Sequence, residues 1–310
     1  MLADATVGEP TRGLKWTRKA LRKVAKALRR KGFKVSHETV RRLLRQLRYR
    51  LRVNRKHLGK RQDGERDQQL RYLTRKRRAF LKAGKPVISV DTKKKELIGN
   101  FRNPGRTWRH EASSVLATDF PSDADGKAIP YGVYDSAQNL GFLGIGTSHE
   151  TAEFAVNVIR AWWQTEGRAA YPSQHELLIQ ADSGGANGYR SWLWKWELQH
   201  LADETGLTLT VTHYPTSASK WNWIEHRLFS QISQNWAGQP LIDYETILKF
   251  IRTTRTEQGL HCVAYLDQTD YALGRTLSIE QKQSIDVHQH RVLPKWNYTI
   301  KPRAIDQVIS

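Results

Sequence analysis

Along the first fifty positions, apolar residues recur at helical spacing inside a strongly basic background. In TRKALRKVAKALRRK, residues 17–31, Leu21, Val24, Ala25 and Leu28 fall on one helical face, and Gly32 is placed to stop the helix. Ser36 is a candidate N-cap for a second helix, HETVRRLLRQLRYRL, residues 37–51. That segment sets Val40, Leu43, Leu44, Leu47 and Leu51 on one face, with Arg41, Arg42, Arg45, Arg48 and Arg50 covering the others. Two short amphipathic helices joined by a glycine-containing turn predict a helix-turn-helix. Beyond residue 54 the chain is polar and charged, then helical around 68–82, with Leu70, Leu73 and Phe80 as sparse apolar positions. The segment reads as a helical linker.

From Pro86 the pattern changes to short apolar runs alternating with helical stretches. PVISVD (86–91), SSVLATDF (113–120) and the 129–146 run predict the first strands. A helix follows at 149–168, a strand at 176–182 and a helix closed by Gly206. Then come a strand in LTLTVTHYP, a helix at 219–236, another near Tyr244–Thr254 and a loop-rich tail. The order β-β-β-α-β-α-β-α predicts an α/β fold with a mixed sheet, the order of a ribonuclease-H-like domain.

Charge changes this picture most. The formal net charge is +21, yet residues 1–85 carry 29 Lys and Arg against 6 Asp and Glu, leaving the other 225 residues at −2. A basic helical block joined to a near-neutral domain implies a polyanion partner, double-stranded DNA above all, with the second basic helix set for the major groove. No apolar run spans a membrane, so no membrane partner is expected. One cysteine, Cys262, excludes an internal disulfide and a thiolate zinc site and fits a reducing cytoplasm.

Three acids stand where chemistry could gather. Asp91 closes the first strand, Asp182 closes the strand after the first helix, and Glu225 lies in a late helix. In a sheet of this order the two strand ends are neighbours and the helix packs beside them. Clustered carboxylates repel and call for a counter-charge, and hard oxygen donors suit Mg²⁺ or Mn²⁺. Two such ions can hold the attacking and leaving oxygens of a phosphoryl transfer. Asp119, Asp135 and Glu96 are rival acids, and His149, His213 and His226 lack the partners of a zinc site. Trp192, Trp194 and Trp196 read as core and interface, and Asn187-Gly188 as a turn.

The strings VISVDTKKKELIGNF, KAIPYGVYD, TAEFAVNVIRAWW, GYRSWLWKWELQHLADETGL and SKWNWIEHRLFSQISQNW resemble the Rhodopirellula-type DDE transposases, a family of bacterial insertion-sequence enzymes. The resemblance runs from about Leu14 to WNYTI at 296–300. It implies that Asp91, Asp182 and Glu225 are the catalytic, metal-binding acids, served by two Mg²⁺ or Mn²⁺ ions. It also implies that Lys93, Lys94 and Lys95 hold DNA phosphates beside the first acid. Arg41, Arg42, Arg45, Arg48, Lys220 and Arg227 complete the expected DNA contacts. The chain departs from the family pattern at Ser183 and Trp223, both beside expected acids, and relatives carry more residues ahead of the basic region.

The expected organisation is a basic helix-turn-helix-like DNA-binding region at 1–56, a helical linker at 57–85, a ribonuclease-H-like DDE catalytic domain at 86–240 and a C-terminal extension packed on it at 241–310. The expected activity is cutting at transposon terminal inverted repeats and strand transfer to target DNA, by a homo-oligomer in the bacterial cytoplasm, associated with the nucleoid. The alternatives are an inactive remnant that only binds DNA, or a nuclease of the same fold.

Overall fold

The computed structural model describes residues 6–8 and 15–17 by their backbone, and residues 20–49, 64–216 and 218–303 in full. Two compact units divide between Lys60 and Arg61.

In the first unit, strands β1 (Thr6–Gly8) and β2 (Lys15–Thr17) pair antiparallel. Helices α1 (Leu21–Arg30) and α2 (His37–Gln46) bury Val24, Ala25 and Val40 against Leu21, Leu28, Val35 and Leu44. Gly32, at φ +88°, takes the left-handed conformation that closes α1. Ser36 Oγ accepts from the Thr39 N–H at 3.0 Å and so caps α2. The second helix is shorter than its pattern predicts. Arg48 turns to φ +63°, and Arg48 and Tyr49 donate back to Arg45 and Leu44, which ends the helix after Gln46. Leu43 and Leu47 are exposed, because so small a pair covers only a narrow stripe. Arg50 and Leu51, expected on this helix, lie outside the described residues, as do positions 57–63 of the expected linker.

The second unit is built on one sheet. Among the described residues its strands are β3 (Val87–Thr92), β4 (Glu96–Ile98), β5 (Gly126–Asp135), β6 (Leu140–Gly146), β7 (Glu176–Ala181), β8 (Thr208–His213), β9 (His261–Asp267), β10 (Val287–Gln289) and β11 (Asn297–Ile300). They lie in the order β10-β11-β8-β7-β3-β5-β6-β9, with β4 paired on β5. Strands β3, β5 and β6 form an antiparallel meander, while β7 and β8 continue parallel to β3. That is the ribonuclease-H-like arrangement.

Two strand expectations change. Residues 113–120 form no strand: Leu116 and Phe120 are exposed in a long loop between β4 and β5. The 129–146 run is not one strand but a hairpin, because Asp135 Oδ1 accepts from the N–H groups of Ala137 and Gln138 and Asn139 turns to φ +50°. The expected loop-rich tail supplies three strands. β9 joins one sheet edge parallel to β6, and β11 joins the other edge antiparallel to β8, so residues beyond 241 belong to the same sheet.

Helices cover both faces. Helix α4 (Ala152–Trp162), capped by Thr151, and α5 (Trp192–Thr205), capped by Ser191, pack Phe154, Ile159, Trp162, Trp194 and Leu198 on Ile88, Val90, Val133, Ile179 and Val211. On the opposite face, the π-helical turn Glu225–Phe229, α6 (Ser230–Asn235) and α7 (Tyr244–Arg252) set Ile224, Leu228, Ile232 and Ile247 on Leu143, Ile145 and Ala264. A last short helix, α8, spans Ile279–Gln283.

Helix α3 (Gly64–Lys82) is integral to this unit and is no free linker. Leu73 packs on Tyr214 and Ala218, and Phe80 packs on Val87 and Leu178. Its fully buried Gln69 exchanges amide hydrogen bonds with Asn297 at 2.7 Å and donates to the His213 carbonyl at 2.9 Å. Among the described residues, no helix is long and apolar enough to cross a membrane.

Candidate active site

The first two acids meet because of the sheet register. Val90 of β3 pairs with Ala181 of the parallel neighbour β7, so the next residues, Asp91 and Asp182, leave the two strands side by side. The third acid arrives through a missing side chain. Gly132 of β5 is the register partner of Asp91, and a Cβ there would lie 2.7 Å from Phe229 and 3.0 Å from Ile224. Glycine thus lets the segment 224–229 press on the sheet beside Asp91, and Glu225 opens its π-helical turn. Asp91, Asp182 and Glu225 line one cavity of about 420 Å³ together with Asn222 and Ser219. Among the described residues, no three His, Cys, Asp or Glu side chains stand close enough to enclose an ion, so the acids face a common cavity without closing on one point.

Each Asp is held by donors. Asp91 Oδ1 accepts from the Thr92 N–H at 2.8 Å, and Oδ2 accepts from Asn222 Nδ2 at 2.7 Å. Asn222 is fully buried and in turn accepts from Ser89 Oγ at 3.0 Å. Asp182 Oδ1 accepts from the Gly184 N–H and from Asn187 Nδ2, both at 3.2 Å. Behind it, His213 donates from Nδ1 to the Asp182 carbonyl at 2.8 Å, since a carbonyl can only accept, which leaves Nε2 to accept from the Tyr298 hydroxyl at 3.1 Å. Burial pushes the His213 pKa down to about 4, so the ring is neutral and acts as a spacer behind Asp182.

The electrostatics set Asp91 apart. Burial first, then the charges of Asp182, Glu225 and Glu150, push its carboxyl up to about 8, opposed by the Thr92 N–H. Asp182 moves the same way, again mainly through burial, with Gly184 and Asn187 opposing. A site that resists its own ionisation is one that a cation would stabilise. The available donors are hard carboxylate oxygens, so the residues fit a divalent cation of the Mg²⁺ or Mn²⁺ class.

The three consecutive lysines differ. Lys93 is buried, 2.9 Å from Glu96 Oε1 and 4.3 Å above the Trp236 ring. Its ammonium serves the packing, and the expected phosphate contact finds no exposed group at this position. Lys95 pairs with Glu150 at 2.7 Å, and Lys94 is exposed. Lys220 is exposed and lines a neighbouring cavity of about 730 Å³ with Glu225, Lys94 and His226. Arg227 lies 5.7 Å from the Trp223 ring, which also carries Arg77 of α3 at 3.8 Å. Arg42, Arg45 and Arg48 are exposed in the first unit, and Arg41 pairs there with Glu38 at 2.7 Å.

The rival acids have other work. Asp135 closes the β5–β6 turn and accepts from the Tyr171 hydroxyl, and Glu96 holds Lys93. Asp119 is exposed in the long loop. His226 donates to the Lys220 carbonyl, and His149 bonds to the Tyr271 carbonyl. Of the tryptophans, Trp194 is core and Trp192 is exposed. Of the two residues singled out beside the expected acids, Ser183 donates to the Tyr214 carbonyl, and Trp223 is the seat of the arginine stack.

Two residues escaped the sequence reading. Asn222 had a signal, a polar residue one helical turn before Glu225. Glu150 did not, because an acid before a helix cap reads as a favourable partner of the helix dipole. Here it lines a cavity of about 320 Å³ with Asp91, Asp182 and Lys95.

The family described as Rhodopirellula transposase DDE domain matches residues 1–302. No curated protein matches the chain significantly. Among solved structures, the Mos1 transposase paired-end complex with left transposon end is similar at 19% identity and a TM-score of 0.46, over 75% of this chain and 65% of that one. A pre-cleavage Mos1 transpososome gives 18%, 0.47, 75% and 65%. The mariner Mos1 paired end complex with Mg gives 16%, 0.44, 75% and 65%. The chain therefore spans about 65% of the length of these Mos1 chains.

Proposed function

This chain belongs to the family of Rhodopirellula transposase DDE domains, and from that premise we propose that it cuts DNA at transposon ends and joins the freed ends to target DNA. The observation that carries the reading is the meeting of Asp91, Asp182 and Glu225 at one cavity, with the Asp91 carboxyl pushed far up by its burial and its acidic neighbours. A proton or a cation relieves such a site, and hard carboxylate oxygens suit a divalent cation.

Asp91, Asp182 and Glu225 would hold Mg²⁺ or Mn²⁺ ions, two in number by analogy with other phosphoryl-transfer sites. Such ions, when bound, offset the charge growing on the phosphate oxygens and make water or a hydroxyl more acidic. The rest falls to the chain. Asn222 and the Thr92 N–H fix the Asp91 carboxylate, while Gly184, Asn187 and His213 fix Asp182. Exposed Lys94 and Lys220 border a cavity, Arg227 is exposed two residues past Glu225, and all three suit DNA phosphates.

In the proposed first step water attacks the phosphodiester at the transposon boundary. The bond from phosphorus to the 3′-oxygen breaks, which leaves a 3′-hydroxyl on the element and a phosphate on the flank. That hydroxyl then attacks a target phosphodiester, forms a new bond to phosphorus and releases a target 3′-hydroxyl. Arg41, Arg42, Arg45 and Arg48 of the basic unit are assigned to the terminal inverted repeats, with a homo-oligomer holding two ends together. The experiment is cleavage and joining of a labelled duplex that carries the element's own ends, with Mg²⁺ or Mn²⁺. Metal-dependent products that vanish in Asp182→Asn support the reading, and the same products from Asp182→Asn overturn it.

A further inference from the structure

A second cavity, of about 320 Å³, shares Asp91 and Asp182 with the first, and a further acid lines it. Glu150 sits just ahead of α4, before the Thr151 cap, and lines the same cavity as Asp91 and Asp182. Gly185 guards its approach. A Cβ there would come within 2.8 Å of Glu150 Oε1, and its φ of +61° favours glycine, so the loop after Asp182 is kept bare where the Glu150 carboxylate reaches in.

A fully buried tyrosine lies near the same acids. Tyr131 is the register partner of Thr92, and its ring packs edge-on against Phe154 in the first turn of α4, 6.1 Å between centroids. Its hydroxyl is buried and has no hydrogen-bond partner. Burial and then the charges of Asp91, Asp182 and Glu150 hold that hydroxyl well above its ordinary pKa. The hydroxyl of its register partner Thr92 is likewise buried without a partner, and Thr92 lines the cavity. Orphaned hydroxyls of this kind are costly unless a water or an ion's hydration shell completes them.

The third observation is what Glu150 holds. Lys95 brings its ammonium to 2.7 Å from Glu150 Oε2, so a monovalent cation of the chain's own sits among the acids. The pair is partly exposed, the Lys95 side chain 38% and the Glu150 side chain 18%, and water can exchange it.

We propose that Glu150 is a fourth carboxylate of the divalent-cation site, and that Lys95 is a built-in counter-ion which the arriving metal displaces. The inference rests on the metal-dependent reading above. It gives TKKKE a division of labour: Lys93 packs, Lys94 faces solvent, and Lys95 guards the site until metal binds and is then released toward the DNA.

The test is Mn²⁺ binding to the full chain without DNA, followed by calorimetry and by electron paramagnetic resonance of free Mn²⁺, with melting temperature in chelator as the control for folding. Glu150→Gln should weaken Mn²⁺ binding about tenfold or more. Lys95→Met should tighten it several-fold, because the competing ammonium is gone. A merely structural ion pair predicts that both variants, which break the same contact, shift affinity together or leave it unchanged, and either result overturns the proposal. Should Glu150→Gln fail to fold, Lys95→Met decides alone: tighter binding supports the proposal, and equal or weaker binding overturns it. Asp91→Asn separates the two layers. If it abolishes binding while Glu150→Gln does not weaken it, the fourth ligand falls and the triad stands. If it leaves binding intact, the carboxylate-site reading falls as well.

Discussion

Replacing Asp91 by asparagine should reverse its effect on stability between acid and alkaline pH, provided metal is absent. The carboxyl is pushed up to about 8 by burial and by Asp182, Glu225 and Glu150, against an ordinary value near 4 in the unfolded chain. A carboxyl raised in this way binds more protons folded than unfolded. Stability therefore falls as pH climbs from about 4 through about 8, and the full penalty is present above the folded value. Four units at about 1.4 kcal/mol each set a ceiling near 5.5 kcal/mol, and relaxation of the neighbouring acids cuts this to roughly 2–3 kcal/mol. Against this stands one lost hydrogen bond, since both Asp91 oxygens accept and an amide offers only one acceptor; that costs about 1 kcal/mol. In chelator the variant should be about 1 kcal/mol less stable than the parent at roughly pH 5, and 1–2 kcal/mol more stable at roughly pH 9. Urea unfolding at both pH values reads this directly. A deficit that stays constant, or grows with pH, would refute the argument and make Asp91 an ordinary structural acceptor. Mn²⁺ at about a hundred times its dissociation constant should stabilise the parent by about 2.7 kcal/mol and erase the variant's alkaline advantage.

Three further outcomes follow from the same structure. Asn222→Leu strands Ser89 and frees one Asp91 oxygen, so it should slow cleavage about 10–100-fold and weaken Mn²⁺ binding while DNA affinity in chelator stays within twofold, and unchanged cleavage would remove Asn222 from the site. Gly132→Ala drives a Cβ toward Phe229 and Ile224 and should cost about 1–3 kcal/mol by urea unfolding, with a parallel loss of cleavage because Glu225 rides on that segment; full activity would show that the segment has room to yield. Residues 1–60 should bind duplex DNA with a steep salt dependence, and residues 61–310 should bind more weakly with a shallower slope; equal slopes from filter binding would contradict the assignment of the basic unit.

The neighbouring strand ends that carry Asp91 and Asp182 were legible in the sequence because they rest on local patterns. Buried strands such as VISVD and ELLIQAD end in their acids, and the order of elements makes those two strands neighbours. The tail was not legible. β9 and β11 pair with β6 and β8 across long stretches of sequence, and nothing local to HCVAYLD or NYTI announces a partner. The role of α3 was hidden for a similar reason. Its buried face is partly polar, Gln69 being satisfied only by Asn297 and the His213 carbonyl, so the sparse apolar positions read as a linker. Lys93 shows the limit of motif reading. Three consecutive lysines look alike in sequence, and the twist of the chain after β3 sends one into the protein, one to Glu150 and one to solvent.

The most direct test of the central claim uses a labelled duplex with the element's own terminal repeat and its flank, the full chain, and Mg²⁺ or Mn²⁺. The account predicts a nick that leaves a 3′-hydroxyl at the element's boundary, joining of that end to an added target, and loss of both products in Asp91→Asn, Asp182→Asn and Glu225→Gln while all three still bind the end. Cleavage that persists in any of the three, or that needs no divalent metal, would contradict it.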